Sequence, residues 1–172
     1  MTDFVELKAL VFKCRKGSRD AQKKFYLHYH AFGLRICLRF AKSRECAIQI
    51  LNESCYLFFT DTKLFEEDSS IENQLRKIII KSVIDDYNQS KNDKSGEQCD
   101  SSIHNNSMEL DPFSENDTLL MLQRLPDLDR IIFNLYVFED YSHEEIAREL
   151  WINIEESVLR LKAARVRLKA FC

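Results

Sequence analysis

Residues 125–150 read LPDLDRIIFNLYVFEDYSHEEIAREL, and they predict a helix, a sharp turn and a second helix. The run Ile131–Phe138 is apolar nearly all round, so we expect the first of these helices to be mostly buried. Asp140 follows it and tolerates a left-handed backbone better than most residues. Ser142 then predicts an N-cap, with Glu145 three residues on, which is the spacing of a capping box.

A further helix start follows immediately at Asn153, again with a glutamate, Glu156, three residues on. This spacing predicts a second capping box. The helix that it opens places Leu161, Ala164 and Leu168 on one stripe, at the spacing of a packed helical face.

Charge divides sharply along this part of the chain. Residues 118–156 hold three basic and nine acidic side chains, whereas residues 157–172 hold five basic and none acidic. The short helix that begins after Ser142 and the basic helix that begins after Asn153 are joined by a tight turn. Together they predict a helix-turn-helix, a motif that places its second helix in a DNA major groove. The alternative is a helical hairpin with a solvated basic tail, but caps, turn length and charge all favour the DNA-reading motif.

The first half of the chain predicts four amphipathic helices. Apolar residues recur there at helical spacing. They include Phe4, Leu7, Leu10, Val11 and Cys14, and then Phe25, Tyr29, Phe32, Ile36 and Phe40. Three glycines and two prolines in 172 residues leave few sites for tight turns. We therefore expect an all-α protein.

A compositional change divides the chain into two helical domains, residues 1–90 and 118–172. Residues 91–117 carry two basic and seven acidic side chains and are rich in Asn, Ser and Asp, which predicts a flexible linker. A chain of this length spans about 30 Å on average, enough to let two domains occupy separated DNA sites. The alternative is a surface loop in one compact domain, although unstructured loops this long are uncommon there.

The stretch 125–150 resembles the C-terminal promoter-reading region, region 4, of bacterial RNA polymerase sigma factors. Three further segments resemble region 2 in the same order. The segment GSRDA at 17–21, which leads into KKFYLHYHAFGLRICLRFA, is similar to the opening of region 2. The segment AIQILNESCYLFF at 47–59 is similar to its polymerase-docking helix. The segment LRKIIIKSVIDDY at 75–87 is similar to its −10 helix. The chain thus resembles the sigma-70 family, specifically the small extracytoplasmic-function (ECF) type.

The resemblance implies a set of site residues for each activity. Core polymerase would be bound by Ile50, Leu51, Asn52 and Glu53; the −10 DNA by Arg76, Lys77, Lys81 and Asp85; and the −35 DNA, within the helix-turn-helix at 142–169, by Arg160, Lys162 and Arg165. The implied partners are RNA polymerase core, promoter DNA and an anti-sigma factor. No small-molecule substrate is expected.

Several residues depart from the family pattern. Trp151 occupies the turn position that is usually glycine, where a left-handed backbone costs roughly 1–2 kcal/mol, so a reshaped turn is expected. Val158 and Leu159 replace polar or basic residues of the recognition helix, which predicts weaker base readout. Gln74 replaces a tryptophan of the −10 helix, and residues 66–68 form an acidic loop before it.

Signatures of other functional classes are missing from the sequence. There is no phosphate-binding glycine loop and no nucleophile elbow, so we expect no catalytic residues, no cofactor and no enzymatic activity. The six cysteines (14, 37, 46, 55, 99 and 172) form no CxxC pair, which argues against a zinc site or disulfide framework. Buried thiols and the lack of a secretory signal or spanning segment predict a cytoplasmic protein.

The sequence therefore predicts a sigma factor that directs RNA polymerase core to specific promoters and promotes transcription initiation. Two alternatives remain open. One is a divergent sigma-like protein that binds polymerase or an anti-sigma partner without initiating, and the other is a plain helix-turn-helix regulator. The promoter sequence, the inducing signal and the identity of any anti-sigma factor are not encoded in any recognisable motif.

Overall fold

The computed structural model describes residues 4–61, 69–92 and 115–170, and every regular element in these ranges is an α-helix. The helices are α1 (Phe4–Arg15), α2 (Arg19–Phe40), α3 (Arg44–Thr60), α4 (Ile71–Asn92), α5 (Glu115–Gln123), α6 (Asp127–Phe138), α7 (His143–Leu150) and α8 (Ile154–Lys169). The predicted all-α class and the four helices of the first half are confirmed. None of the described helices is both long and apolar enough to cross a membrane.

The first compact unit comprises Met1–Cys37 and Ile48–Ser82. Its core forms around Phe25, whose ring centroid lies 4.8 Å from that of Phe58 and 4.7 Å from that of Tyr29. Further wholly buried side chains complete this core, namely Leu51, Leu75 and Ile79. The predicted stripe of α2 is therefore the packed face of that helix.

Two glycines have geometric roles in this unit. Gly17, at φ +82°, ends α1 in a left-handed conformation, and Ser18 Oγ accepts a 3.4 Å hydrogen bond from the Ala21 amide at the start of α2. At Gly33, an added Cβ would lie 2.5 Å from Leu51 Cδ1, so glycine permits the close approach of α2 and α3.

The second compact unit comprises Leu38–Ala47 and Val83–Cys172. Within it α6, α7 and α8 pack on one another. Leu122 and Leu125 of the α5 region pack with Ala164, and the partly buried Phe133 and Leu168 extend this cluster. The ends of α2 and α4 thus cluster with the C-terminal helices, whereas the predicted domain boundaries at 90 and 118, which follow sigma regions, remain a prediction.

The helices extend into both ends of the predicted linker, because α4 continues to Asn92 and α5 begins at Glu115. The central part of that linker, residues 93–114, and the acidic loop at 66–68 lie outside the described residues.

Candidate nucleic-acid interface

Helix α7 begins with the predicted capping box. The Glu145 amide donates to Ser142 Oγ at 3.2 Å, and the Ser142 amide donates to Glu145 Oε2 at 2.8 Å. These two bonds satisfy backbone donors that a helix start leaves unpaired. The hydrogen bonds from the Ser142 backbone and side chain also hold the pKa of Glu145 below its usual range.

The turn after α7 keeps its left-handed geometry, contrary to the expected reshaping. Trp151 has φ 53° and ψ 50° at the C-cap, and the following Ile152 amide donates to Ala147 O at 3.1 Å. The Ala147 carbonyl can accept this hydrogen bond only if the residue at the C-cap is left-handed, whatever its side chain. The indole is 72% exposed, so little packing offsets the backbone strain.

Helix α8 begins with only the first half of the predicted second capping box. Asn153 Oδ1 accepts from the Glu156 amide at 2.6 Å. The Glu156 carboxylate turns instead toward Arg160, with its Oε1 3.5 Å from Nη2. An ion pair with the next turn of the same helix competes for this carboxylate.

The prediction that α6 is mostly buried by its apolar run is wrong for the end of that helix. Ile131, Ile132 and Leu135 are buried, but Tyr136, Val137 and Phe138 are exposed by 36–40%. Polar residues take part of the inner face instead, namely Asp129, Arg130 and Asn134. A count of apolar residues could not show this, because the buried polar groups are stabilised by partners distant in sequence.

Asp129 joins α6 to one flank of α8. Its carboxylate has no exposed surface. Asp129 Oδ1 lies 3.4 Å from Arg160 Nη1, and Oδ2 accepts a hydrogen bond from Arg167 Nη1. Arg160 and Arg167 are seven residues apart and therefore lie on the same side of the helix. One buried carboxylate thus holds α8 against α6 at two points that are about two turns apart.

The opposite flank of α8 is held by aromatic contacts. The Arg165 guanidinium lies 5.9 Å from the ring centroid of Tyr136. Tyr136 stacks on His143 with ring centroids 4.6 Å apart, and His143 Nδ1 lies 2.9 Å from Oγ of the buried Ser157. This series of contacts connects α6, α7 and α8.

The remaining side of α8 forms what we call the outward stripe: Glu155, Leu159, Lys162 and Val166. These residues are spaced by four, three and four positions, lie opposite the buried Leu161 and Ala164, and are all exposed. The three predicted −35 contacts are therefore distributed around α8, with Lys162 and Arg165, three residues apart, as neighbours and Arg160 away from both. Lys162 is on the outward stripe, Arg165 is on the aromatic flank, and Arg160 is on the flank held by Asp129.

A buried cation, Arg130 of α6, joins this helix to the end of α2 and to the segment before α6. Its Nε donates to Phe40 O at 2.7 Å, its Nη1 to Leu125 O at 2.8 Å, and its Nη2 to Asp127 Oδ1 at 2.6 Å. One turn later, Asn134 Nδ2 donates to Arg39 O at 2.8 Å. The last carbonyls of α2 have no partner within their own helix, so α6 side chains satisfy them.

Ion pairs surround this buried network. Arg39 Nη2 lies 2.6 Å from Glu139 Oε1, and Lys42 Nζ lies 2.8 Å from Asp127 Oδ2. This network was not predicted from the sequence, whose one signal of it is the pair Arg130 and Asn134, spaced by four beside apolar residues.

The predicted polymerase-binding residues lie on two sides of α3. Asn52 and Glu53 are exposed, Ile50 is half-buried, and Leu51 is wholly buried. Leu51 therefore supports the helix from inside the core. Asn52 also borders a groove of about 460 Å³ between α2 and α3, which is lined by Gln22, Lys23, Tyr26, Cys55, Tyr56, Phe59 and Thr60 as well.

The predicted −10 residues lie along α4. Lys77, Lys81 and Asp85 are exposed and, spaced by four, share one side of the helix. Arg76 is half-buried, with its guanidinium 5.9 Å from the ring centroid of Phe32. Gln74 is buried and donates to Ser69 O at 2.8 Å, so it faces the core.

The family model for sigma-70, region 4, matches residues 116–168, the segment that contains α6, α7 and α8. Residues 116–168 are therefore similar to a sigma-70 region 4 domain. Among solved structures, the chain is similar to the sigma factor RpoE of Bartonella quintana, solved in complex with the anti-sigma factor NepR. That match has a TM-score of 0.52 and 18% identity, and it covers 87% of this chain and 94% of that chain. Comparison with curated proteins found no match.

The family model supports the predicted resemblance of residues 116–168 to sigma-70 region 4, and the solved structure supports the predicted helical fold. Within the described ranges, no group of His, Cys, Asp and Glu side chains could hold a metal ion.

Proposed function

We propose that this chain is a sigma factor that binds RNA polymerase core and directs it to promoters, where it promotes initiation. The observation that carries the proposal is the region 4 helix-turn-helix. Its second helix, α8, is anchored on two flanks and presents the outward stripe to solvent. That is the arrangement a recognition helix needs in order to enter a major groove. The ECF sigma fold shared with RpoE supports the same reading.

For the −35 element, we assign DNA contact to Lys162 and Arg165. Lys162 is exposed on the outward stripe, and Arg165 lies beside it on an exposed flank. We assign Arg160 a positioning role, because its guanidinium is paired with the buried Asp129 and with Glu156. Neutralised phosphates would supply most of the binding free energy.

For the −10 element and core polymerase, we retain the residues predicted from the sequence. Lys77, Lys81 and Asp85 form an exposed row on α4, and Arg76 lies beside it. Asn52 and Glu53 are the exposed residues of the docking segment, with Ile50 and Leu51 supporting them. We also propose an anti-sigma partner, by analogy with the complex in which RpoE was solved.

The test is run-off transcription with the purified chain, core polymerase from the source bacterium, and DNA from upstream of the chain's own operon. Specific transcripts that require the chain support the proposal. The Lys77→Ala/Lys81→Ala double variant should lose most open-complex formation while binding core normally. The matched control is Lys13→Ala/Lys16→Ala, which removes one exposed lysine from α1 and another from the turn that follows it, and should transcribe like the parent.

A second candidate is a sigma-like protein that binds polymerase without initiating. It is favoured by the apolar residues Val158 and Leu159 of α8, which lie where the family pattern has polar ones. Core binding without transcripts on any template would support it and overturn the first proposal. Sequence-specific DNA binding without core binding would instead indicate a plain helix-turn-helix regulator.

A further inference from the structure

Leu159 is an exposed leucine on the side of α8 that faces solvent. Its side chain is 64% exposed, and it lies in the second turn of the helix. It does not contribute to the core, which is formed by Ser157, Leu161 and Ala164 on the opposite side. An isolated exposed leucine is ordinary on a protein surface. This one lies on the outward stripe, between Glu155 and Lys162.

The charges around Leu159 indicate which kind of partner covers it. From residue 157 onward α8 carries five basic side chains and no acidic one. Lys162 is one turn away on the same stripe, and Arg165 is on the neighbouring flank. Basic residues on the C-terminal side of a small apolar spot match a surface with phosphates at one edge and an apolar group beside them. The major groove over a thymine has that pattern, because the thymine C5-methyl lies there.

Position along the helix supports the same partner. In helix-turn-helix proteins the N-terminal residues of the recognition helix contact base edges. Leu159 is the sixth residue of α8, and Glu155, the second, is on the same stripe. A carboxylate in that place can accept a hydrogen bond from a cytosine amino group. Both residues are unsuited to phosphate and suited to base edges.

We propose that Leu159 is a specificity-determining residue that reads a thymine methyl group in the −35 element. Leu159, which stands where the family pattern has a polar or basic residue, then changes the base that α8 recognises. It does not simply weaken the recognition of bases. This inference rests on the proposed function, since it requires that α8 enters promoter DNA.

The experiment uses holoenzyme reconstituted from the full chain and core polymerase. The holoenzyme selects DNA from a library in which the −35 region is random, and each thymine in the selected sequence is then replaced in turn by deoxyuridine, which lacks only the methyl group. At one position we expect deoxyuridine to weaken binding about 3–10-fold, as the loss of one buried methyl group does. In Leu159→Ala the same replacement should have no effect.

The matched control is Leu120→Ala, which removes an exposed leucine from α5 and should keep the full deoxyuridine effect. Leu159→Ser provides a second variant at the same site. If DNA is selected but no deoxyuridine position matters, or the effect persists in both Leu159 variants, the inference is overturned while the proposed function stands. If Leu159→Ala weakens core binding instead, the stripe contacts protein and the inference is again overturned. If the holoenzyme selects no DNA, both fail.

Discussion

Arg160 of α8 points its guanidinium at Asp129 of α6, with Nη1 3.4 Å from a carboxylate oxygen that has no exposed surface. A cation committed to a buried carboxylate within its own protein is poorly placed to contact a phosphate. Arg160 therefore orients α8, and in the proposed function the DNA contacts are made by neighbours on other sides of the helix.

The salt dependence of DNA binding separates these roles. Each phosphate contact contributes about 0.9 to the slope of log K against log salt concentration. We expect Lys162→Ala to lower the slope of holoenzyme binding by about 0.9, because it removes such a contact. Arg160→Ala should weaken binding without changing the slope. A lower slope in Arg160→Ala would show that this side chain contacts phosphate after all.

Arg130 should be among the residues that contribute most to stability. Replacing it with alanine leaves the carbonyls of Phe40 and Leu125 without their donor and Asp127 without one of its cations. We expect Arg130→Ala to lower the free energy of unfolding by about 3 kcal/mol. Urea denaturation followed by circular dichroism measures the change. Arg148→Ala, at an exposed arginine of α7, is the control and should change stability by less than about 0.5 kcal/mol.

The left-handed Trp151 predicts a stabilising substitution. Glycine adopts φ 53° without the steric cost, while its own greater freedom in the unfolded chain offsets part of the gain. We expect Trp151→Gly to raise the free energy of unfolding by up to about 1 kcal/mol, measured by thermal melting. Trp151→Ala keeps the backbone strain and should show no gain. Equal stability of the two variants would mean that the turn carries no strain.

The ion pairs around Asp127 predict a pH-dependent contribution to stability. Burial raises the pKa of this carboxyl, but Lys42 and Arg130 together outweigh burial and hold the pKa below its usual value of 3.8. A depressed carboxyl pKa stabilises the fold above the unfolded-state pKa, and the contribution disappears as pH falls through the folded-state pKa. Asp127→Asn should therefore lower the free energy of unfolding at pH 7, and this effect should shrink as the pH falls below 3.8 and through the folded-state pKa.

Asp86 provides a control of opposite sign. Burial and the neighbouring Asp127 charge raise its pKa, so its ionised form is unfavourable in the folded protein. Asp86→Asn should raise stability at pH 7. Stability curves from pH 2 to pH 8 that move in the same direction for both variants would contradict the assignment.

Three cysteine thiols should be unreactive in the folded protein. Burial raises the pKa of Cys14 to about 11 and that of Cys55 to about 12, and burial with the nearby Cys55 raises that of Cys37 to about 12. Since the thiolate is the reactive form, iodoacetamide at pH 8 should label none of the three within minutes. In 8 M urea all three should react at equal rates. Peptide mass spectrometry measures the labelling, and rapid native labelling of Cys37 would show that the core around α2 opens.

The local features of the helix-turn-helix could be predicted from the sequence, because each depends on residues three to five positions apart. The Ser142 cap, the left-handed Asp140 and the buried stripe of α8 are of this kind. The reshaped turn at Trp151 was predicted wrongly, since backbone hydrogen bonding outweighed the cost of the side chain. The second capping box was half wrong, because Arg160 draws the Glu156 carboxylate away.

By itself the sequence determined the helices, their caps and the region 4 motif, all of which follow from local hydrogen bonding and helical periodicity. Only the tertiary structure decided which cations of α8 are held against α6 and which one lies on the outward stripe. Arg160, Lys162 and Arg165 are alike in sequence, but the buried carboxylate of Asp129 and the ring of Tyr136 lie about 30 residues away along the chain. Because those contacts form only when α6 packs on α8, the separation of anchoring from reading residues is a property of the packed helices.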